Sequence, residues 1–159
     1  MLRVLKTALL SGLCMLTLPG SLAGASLKAG VAKVEITPPI GLRMYGFASR
    51  KGTSTGILDP LFARVLVLEA GEKRLALVVS DLGRPFGPAL LARLREAAQQ
   101  TSGMSYVLVA ATHTHSGPAI EDEYPPHETP AWETAAVERI TQAIEEAHEG
   151  ALEARLGAG

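Results

Sequence analysis

The stretch Ala111–Pro118, "ATHTHSGP", places two of the chain's four histidines one residue apart, followed at once by a hydroxyl, a glycine and a proline. On an extended backbone residues i and i+2 face the same side, so His113 and His115 would present both imidazoles to one volume. Such a pair can chelate one zinc, or one ring can bind metal while the other meets a substrate. An acid/base pair and a plain polar strand end remain open on the residues alone. Gly117 and Pro118 force a turn, which leaves the pair at the mouth of a loop.

The elements that must position these rings follow from the apolar patterning. Val31–Thr37 alternates apolar and polar residues and stops at Pro38-Pro39, which cannot continue a ladder. A glycine-rich loop runs from Ile40 to Pro60. Leu61–Glu69 and Arg74–Asp81 are β-branched and leucine-rich runs joined by Ala70-Gly71-Glu72-Lys73, the pattern of an antiparallel hairpin. Pro88 opens a helix whose apolar face is Leu90, Leu91, Leu94, Ala97 and Ala98, reaching about Gln100. Tyr106–Thr112 is a near-continuous apolar run of the kind buried on both faces of a sheet. A second helix starts at Thr129-Pro130, carries Val137, Ile140, Ile144 and Ala147 inward, and ends at Gly150. Residues 151–159 start a further strand.

The fold class expected is therefore α/β: a mixed sheet with a hairpin followed by strand-helix-strand units and helices packed on the sheet. If the strands around the first helix are parallel neighbours, their carboxyl ends share one edge, where open α/β sheets place their ligands. Asp81 ends one of these strands and His113 and His115 the other, so three ligands or proton carriers are expected to converge. Asp81 has a plainer alternative as a strand-end cap on a neighbouring loop amide.

Compartment and composition narrow the chemistry. Arg3 and Lys6 precede the twelve-residue apolar run Thr7–Leu18, Pro19-Gly20 breaks it, and Ala23-Gly24-Ala25 supplies small residues. That order predicts a secretory signal peptide cleaved after Ala25, with a run too short to span a bilayer. The lone cysteine, Cys14, falls inside it, so the mature chain has no thiolate and any metal must be held by His, Asp, Glu or Tyr. The remaining 134 residues carry thirteen basic and sixteen acidic side chains, about −3 net, with no basic patch or aromatic stacking series for nucleic acid. One domain is expected at this length.

Five segments, taken in order, carry a resemblance: "GVAKVEITPP", "GLRMYGF", "GILDPLFARVLVLE", "SDLG" and "ATHTHSGP". Together they resemble the N-terminal catalytic domain of the neutral/alkaline non-lysosomal ceramidase family, over nearly all of residues 29–118. The resemblance implies a secreted or periplasmic zinc amidohydrolase that cleaves N-acylsphingosine, a ceramide-like lipid presented at a membrane or micelle surface, into sphingosine and a fatty acid. It implies Zn2+ on His113, with His115 acting on the substrate head group as a catalytic and binding residue. Asp81 is placed behind an imidazole to fix its tautomer, and Gly46 where backbone approaches substrate. Leu58 departs from the pattern, because many bacterial relatives carry histidine there. The family's other zinc ligands and its catalytic serine lie downstream and are absent from these residues, so the domain is expected to be incomplete at the C-terminus and inactive alone.

The remaining polar residues have quieter expectations. Ser116 is a turn hydroxyl without its own base. His127 sits in an acidic, proline-rich loop, and His148 in a helix's last turn, where a positive ring suits the dipole. Glu121, Asp122 and Glu123 are expected to be solvated. Hydrolysis of another amide or ester on the same scaffold, and a non-catalytic binding or structural remnant, are the competing readings.

Overall fold

A computed structural model describes residues 26–125 and 127–157. The expected leader, with Cys14 and the cleavage site after Ala25, lies outside the described residues. Strand β1 spans Leu27–Glu35, β2 Phe62–Ala70, β3 Lys73–Ser80 and β4 Tyr106–Ala111. β1 starts at Leu27 rather than Val31 and ends at Glu35 rather than Thr37. Its bounds follow the ladder with β2, which runs unbroken from Leu27↔Ala70 to Glu35↔Phe62.

β2 and β3 form the expected hairpin, closing at Ala70↔Lys73 around Gly71, whose φ of 59° suits a residue without a Cβ. β3 and β4 pair in parallel from Leu75↔Tyr106 to Ser80↔Ala111. A short β5, Leu152–Glu153, pairs antiparallel with β1, giving the order β4-β3-β2-β1-β5. The sheet is mixed, as the α/β reading requires.

Helix α1 covers Pro88–Ser102 and α2 covers Ala131–Glu149. Proline suits the first turn of α1 because the missing N–H is one the helix leaves unpaired. Gly103, at φ 61°, ends it, and the N–H groups of Gly103 and Met104 donate to the carbonyls of Gln99 and Ala98 at 3.0 and 3.2 Å. Leu90, Leu94 and Ala98 on α1, and Val137, Ile140, Ile144 and Ala147 on α2, are buried at helical spacing. Gly30 allows α2 to sit close on β1: a Cβ there would overlap the Ala147 carbonyl. No described helix is long and apolar enough to cross a membrane.

One expectation is corrected. β4 is not buried on both faces but lies at the sheet edge among the described residues, with Tyr106 60% and Leu108 57% exposed. Both helices cover the face that carries Val65, Val67, Val78 and Val107. Val31, Leu66, Leu77 and Leu108 line up by register on the opposite face.

A buried acid anchors the loop that follows the histidine motif. Glu133, in the first turn of α2, is fully buried and accepts a hydrogen bond from the Tyr124 hydroxyl, which in turn accepts the Glu121 N–H at 3.1 Å. Among the described residues the Glu133 Oε2 has no hydrogen-bond partner. Burial therefore pushes the Glu133 carboxyl up, since desolvation penalises the charged form, and burial also pushes the Tyr124 hydroxyl up to about 12. A carboxyl raised on folding holds its proton longer in the folded state. Its contribution is complete at pH below the ordinary glutamate value and is lost as pH rises through the raised one. Urea unfolding across that window should show stability falling with rising pH, and Glu133→Gln should remove this component; an unchanged pH slope in the variant would refute the assignment.

Candidate functional site

Ser80 and Ala111 are register partners, so the segments after β3 and β4 leave the sheet side by side. The Thr112 N–H donates to the Ser80 carbonyl at 3.0 Å and the Thr114 N–H to the Leu82 carbonyl at 3.3 Å. β4 has ended by then, and His113 lies at φ 61°, in the left-handed region. The expectation of an extended His-Thr-His is corrected at this point. A left-handed turn, tolerated by histidine better than by most residues, brings the two ring centroids to 5.4 Å. His113 is exposed and His115 half-buried.

A second segment closes over the pair. The Tyr45 N–H donates to the Gly117 carbonyl at 2.9 Å and the Ala119 N–H to the Arg43 carbonyl at 2.8 Å, with Met44 bridged to Pro118. This places the Tyr45 ring steeply inclined to both imidazoles, at 79° and 72° and 5.6 Å from each, and the Phe47 ring 5.0 Å from His115 at 87°. Two glycines make room for these rings. A Cβ on Gly83 would overlap the Tyr45 ring, and one on Gly46, which has φ 77°, would overlap the His115 ring. Gly46 therefore lets an imidazole approach the backbone, and it lines the same cleft as His115. The Arg50 Nη1 donates to the Tyr45 and His115 carbonyls at 3.1 and 3.0 Å.

Asp81 does not join the histidines. Its carboxylate accepts from Arg64 Nη1 at 2.9 Å and from the Phe62 N–H at 3.1 Å, tying β2 to the end of β3, and neither bond is to an imidazole. Arg64 pairs with Val79 in register, which puts its guanidinium beside the strand end where it captures the carboxylate. The strand-end cap describes this arrangement. Among the described residues no group of three or more His, Cys, Asp or Glu could hold a metal ion, so the expected three-way convergence is overturned. Zinc takes three or four protein ligands, more than this histidine pair could provide.

Ser116 sits in a turn, where its N–H donates to Thr114 Oγ1 at 3.1 Å. His127 is exposed at φ 67°. His148 Nδ1 lies 2.5 Å from Glu69 Oε1, near the hairpin end of the sheet and away from the motif. Glu121 pairs with Arg43 at 3.5 Å, Asp122 pairs with Arg84, and all three acids of the loop are exposed.

Two depressions meet at Met44. One, of about 680 Å³, is lined by Tyr45, Gly46, Phe47 and His115, with Arg43, Arg50, Lys51 and Arg84 around it. The other, of about 420 Å³, runs past Pro39, Ile40, Leu42, Ile57 and Leu58 to Thr114 and Ser116. A cleft ringed by basic side chains thus adjoins an apolar groove in which Leu58 is 97% exposed.

The resemblance put Met44–Phe47 on a pocket-lining loop, but sequence reasoning missed the ring contacts of Tyr45 and Phe47 with the histidines, and missed Arg50 and Gly83 altogether. Gly46 between two aromatics, and a glycine three residues beyond the end of β3, were the available signals.

The architecture defines a class: an α/β domain whose polar site is built at the carboxyl edge of its parallel strand pair. Residues 27–159 match the family described as "Neutral/alkaline non-lysosomal ceramidase, N-terminal". The chain is 36% identical over 115 residues to a neutral ceramidase of Drosophila pseudoobscura pseudoobscura, covering 69% of this chain and 15% of that protein. It is 34% identical over 112 residues to a neutral ceramidase of Pseudomonas aeruginosa, covering 67% of this chain and 17% of that one. The crystal structure of neutral ceramidase from Pseudomonas aeruginosa superposes with a TM-score of 0.64 at 26% identity, over 81% of this chain and 22% of that one. The chain belongs to the neutral/alkaline non-lysosomal ceramidase family, and it spans less than a fifth of the length of these two curated relatives.

The glycine contact is open to test. Gly46→Ala adds a Cβ at a left-handed position against an imidazole, and should destabilise the fold by about 1–3 kcal/mol in urea unfolding. A variant as stable as the parent would show that the His115 ring does not rest on Gly46.

Proposed function

We propose that this chain supplies the histidine pair of a zinc-dependent amidohydrolase that cleaves the amide of N-acylsphingosine, releasing sphingosine and a fatty acid. The observation that carries the reading is the pairing of His113 and His115 at the carboxyl edge, in a chain of the ceramidase family. His113 is the residue that would hold the metal, being exposed to incoming ligands. His115, wedged between Gly46 and two aromatic edges, would present a fixed imidazole to the substrate head group.

Bound zinc supplies a Lewis acid that polarises an amide carbonyl or acidifies water near neutral pH. The chain's own residues orient and screen. Tyr45 and Phe47 hold the rings, the left-handed turn sets their separation, and the groove past Ile40 and Ile57 accommodates hydrocarbon, which suits a lipid. The order of Arg3, Lys6, the apolar run and Ala23-Gly24-Ala25 supports action outside the cytoplasm.

The test is a comparison of variants in a polypeptide carrying the complete family domain. His113→Ala should lose both bound zinc and hydrolysis, because a direct ligand has no substitute. Ser116→Ala should keep its zinc and most of its activity, because a turn hydroxyl can be replaced by water. Equal inactivity of the two variants would overturn these roles.

A further inference from the structure

Phe47 is a bulky non-glycine residue at φ 52°, and it follows Gly46 at φ 77°. Residues in this region persist only where their surroundings over-determine them. The surroundings of Phe47 converge on one side chain. The Arg50 N–H donates to the Phe47 carbonyl at 2.8 Å, closing the turn. The Arg50 guanidinium lies over the Phe47 ring, 4.9 Å from its centroid. Its Nη1 reaches across 65 residues of sequence to the His115 carbonyl at 3.0 Å while also holding the Tyr45 carbonyl at 3.1 Å.

We infer that Arg50 is a positioning residue for His115: one guanidinium clamps the backbones of the aromatic loop and the histidine motif together and presses the Phe47 edge against the imidazole. The inference rests on the proposed role of His115 toward substrate. Arginine suits the task because its charge strengthens both carbonyl hydrogen bonds, and its planar face stacks on an aromatic ring while its edge donates. Both carbonyls it holds belong to residues whose rings meet, so the clamp fixes the separation of the two backbones from which those rings project. The half-buried guanidinium forms no ion pair among the described residues, which distinguishes it from Arg43 and Arg84 at the same cleft. Its hydrogen bonds are spent on backbone geometry.

Nuclear Overhauser contacts between the Phe47 and His115 rings in the full chain provide a readout independent of activity. These contacts should be present in the parent, survive in Arg50→Lys, which can still donate to two carbonyls, and vanish in Arg50→Met with the α2 amide spectrum unchanged. Persistence of the contacts in Arg50→Met, their absence in the parent, or global unfolding of both variants would each overturn the inference. In a polypeptide carrying the complete family domain, Arg50→Met should lower kcat about tenfold while KM stays within about twofold, as expected for a misplaced group. An equal loss in Arg50→Lys would also overturn it. Failure of every version to cleave N-acylsphingosine would instead count against the proposed function, and the ring contacts would still decide the role of Arg50.

Discussion

The site depends on one piece of backbone pairing: the segment from Arg43 to Tyr45 lies antiparallel to the segment from Gly117 to Ala119, joined by two short N–H to carbonyl bonds. Everything at the histidine motif is referenced to it. It places Tyr45 between Gly83 and the two imidazoles, and it brings Gly46 under the His115 ring. Without it the tie between the loop from Ile40 to Pro60 and the histidine motif would rest chiefly on the Arg50 hydrogen bond to the His115 carbonyl.

The pairing also explains where strain is tolerated. Left-handed backbone at Phe47 and His113 costs on the order of 1–3 kcal/mol per residue, and edge-to-face aromatic contacts return about 0.5–1.5 kcal/mol each. Three such contacts connect Tyr45 and Phe47 to His113 and His115. The two effects are comparable in size, so the backbone clamp by Arg50 and the cross-pairing decide the outcome. The sheet contributes rigidity, since β3 and β4 deliver Asp81 and the motif from a continuous parallel ladder.

Much of the fold was legible because apolar period and turn chemistry agreed. The hairpin around Gly71, the helix opened by Pro88 and the parallel pairing of β3 with β4 all follow from local signals. What failed were inferences that need tertiary context. The apolar run of β4 cannot say that both helices pack on the same face, leaving Leu108 exposed. Nor can a strand-end aspartate announce that Arg64, on the neighbouring strand, will take its carboxylate. The histidine pair was found for a partly wrong geometric reason: residue spacing predicted shared direction on a strand, whereas a left-handed turn supplies it. The contacts of Tyr45, Phe47 and Arg50 with the histidine motif were invisible because loop partners 65 or more positions apart leave no periodic trace.

Hydrogen exchange at two amides tests the cross-paired site most directly. The N–H groups of Tyr45 and Ala119, which donate to Gly117 and Arg43, should exchange slowly, in the same protected class as the amides of the β3–β4 ladder. Exchange of either at the rate of an open loop would contradict a histidine site held by that pairing.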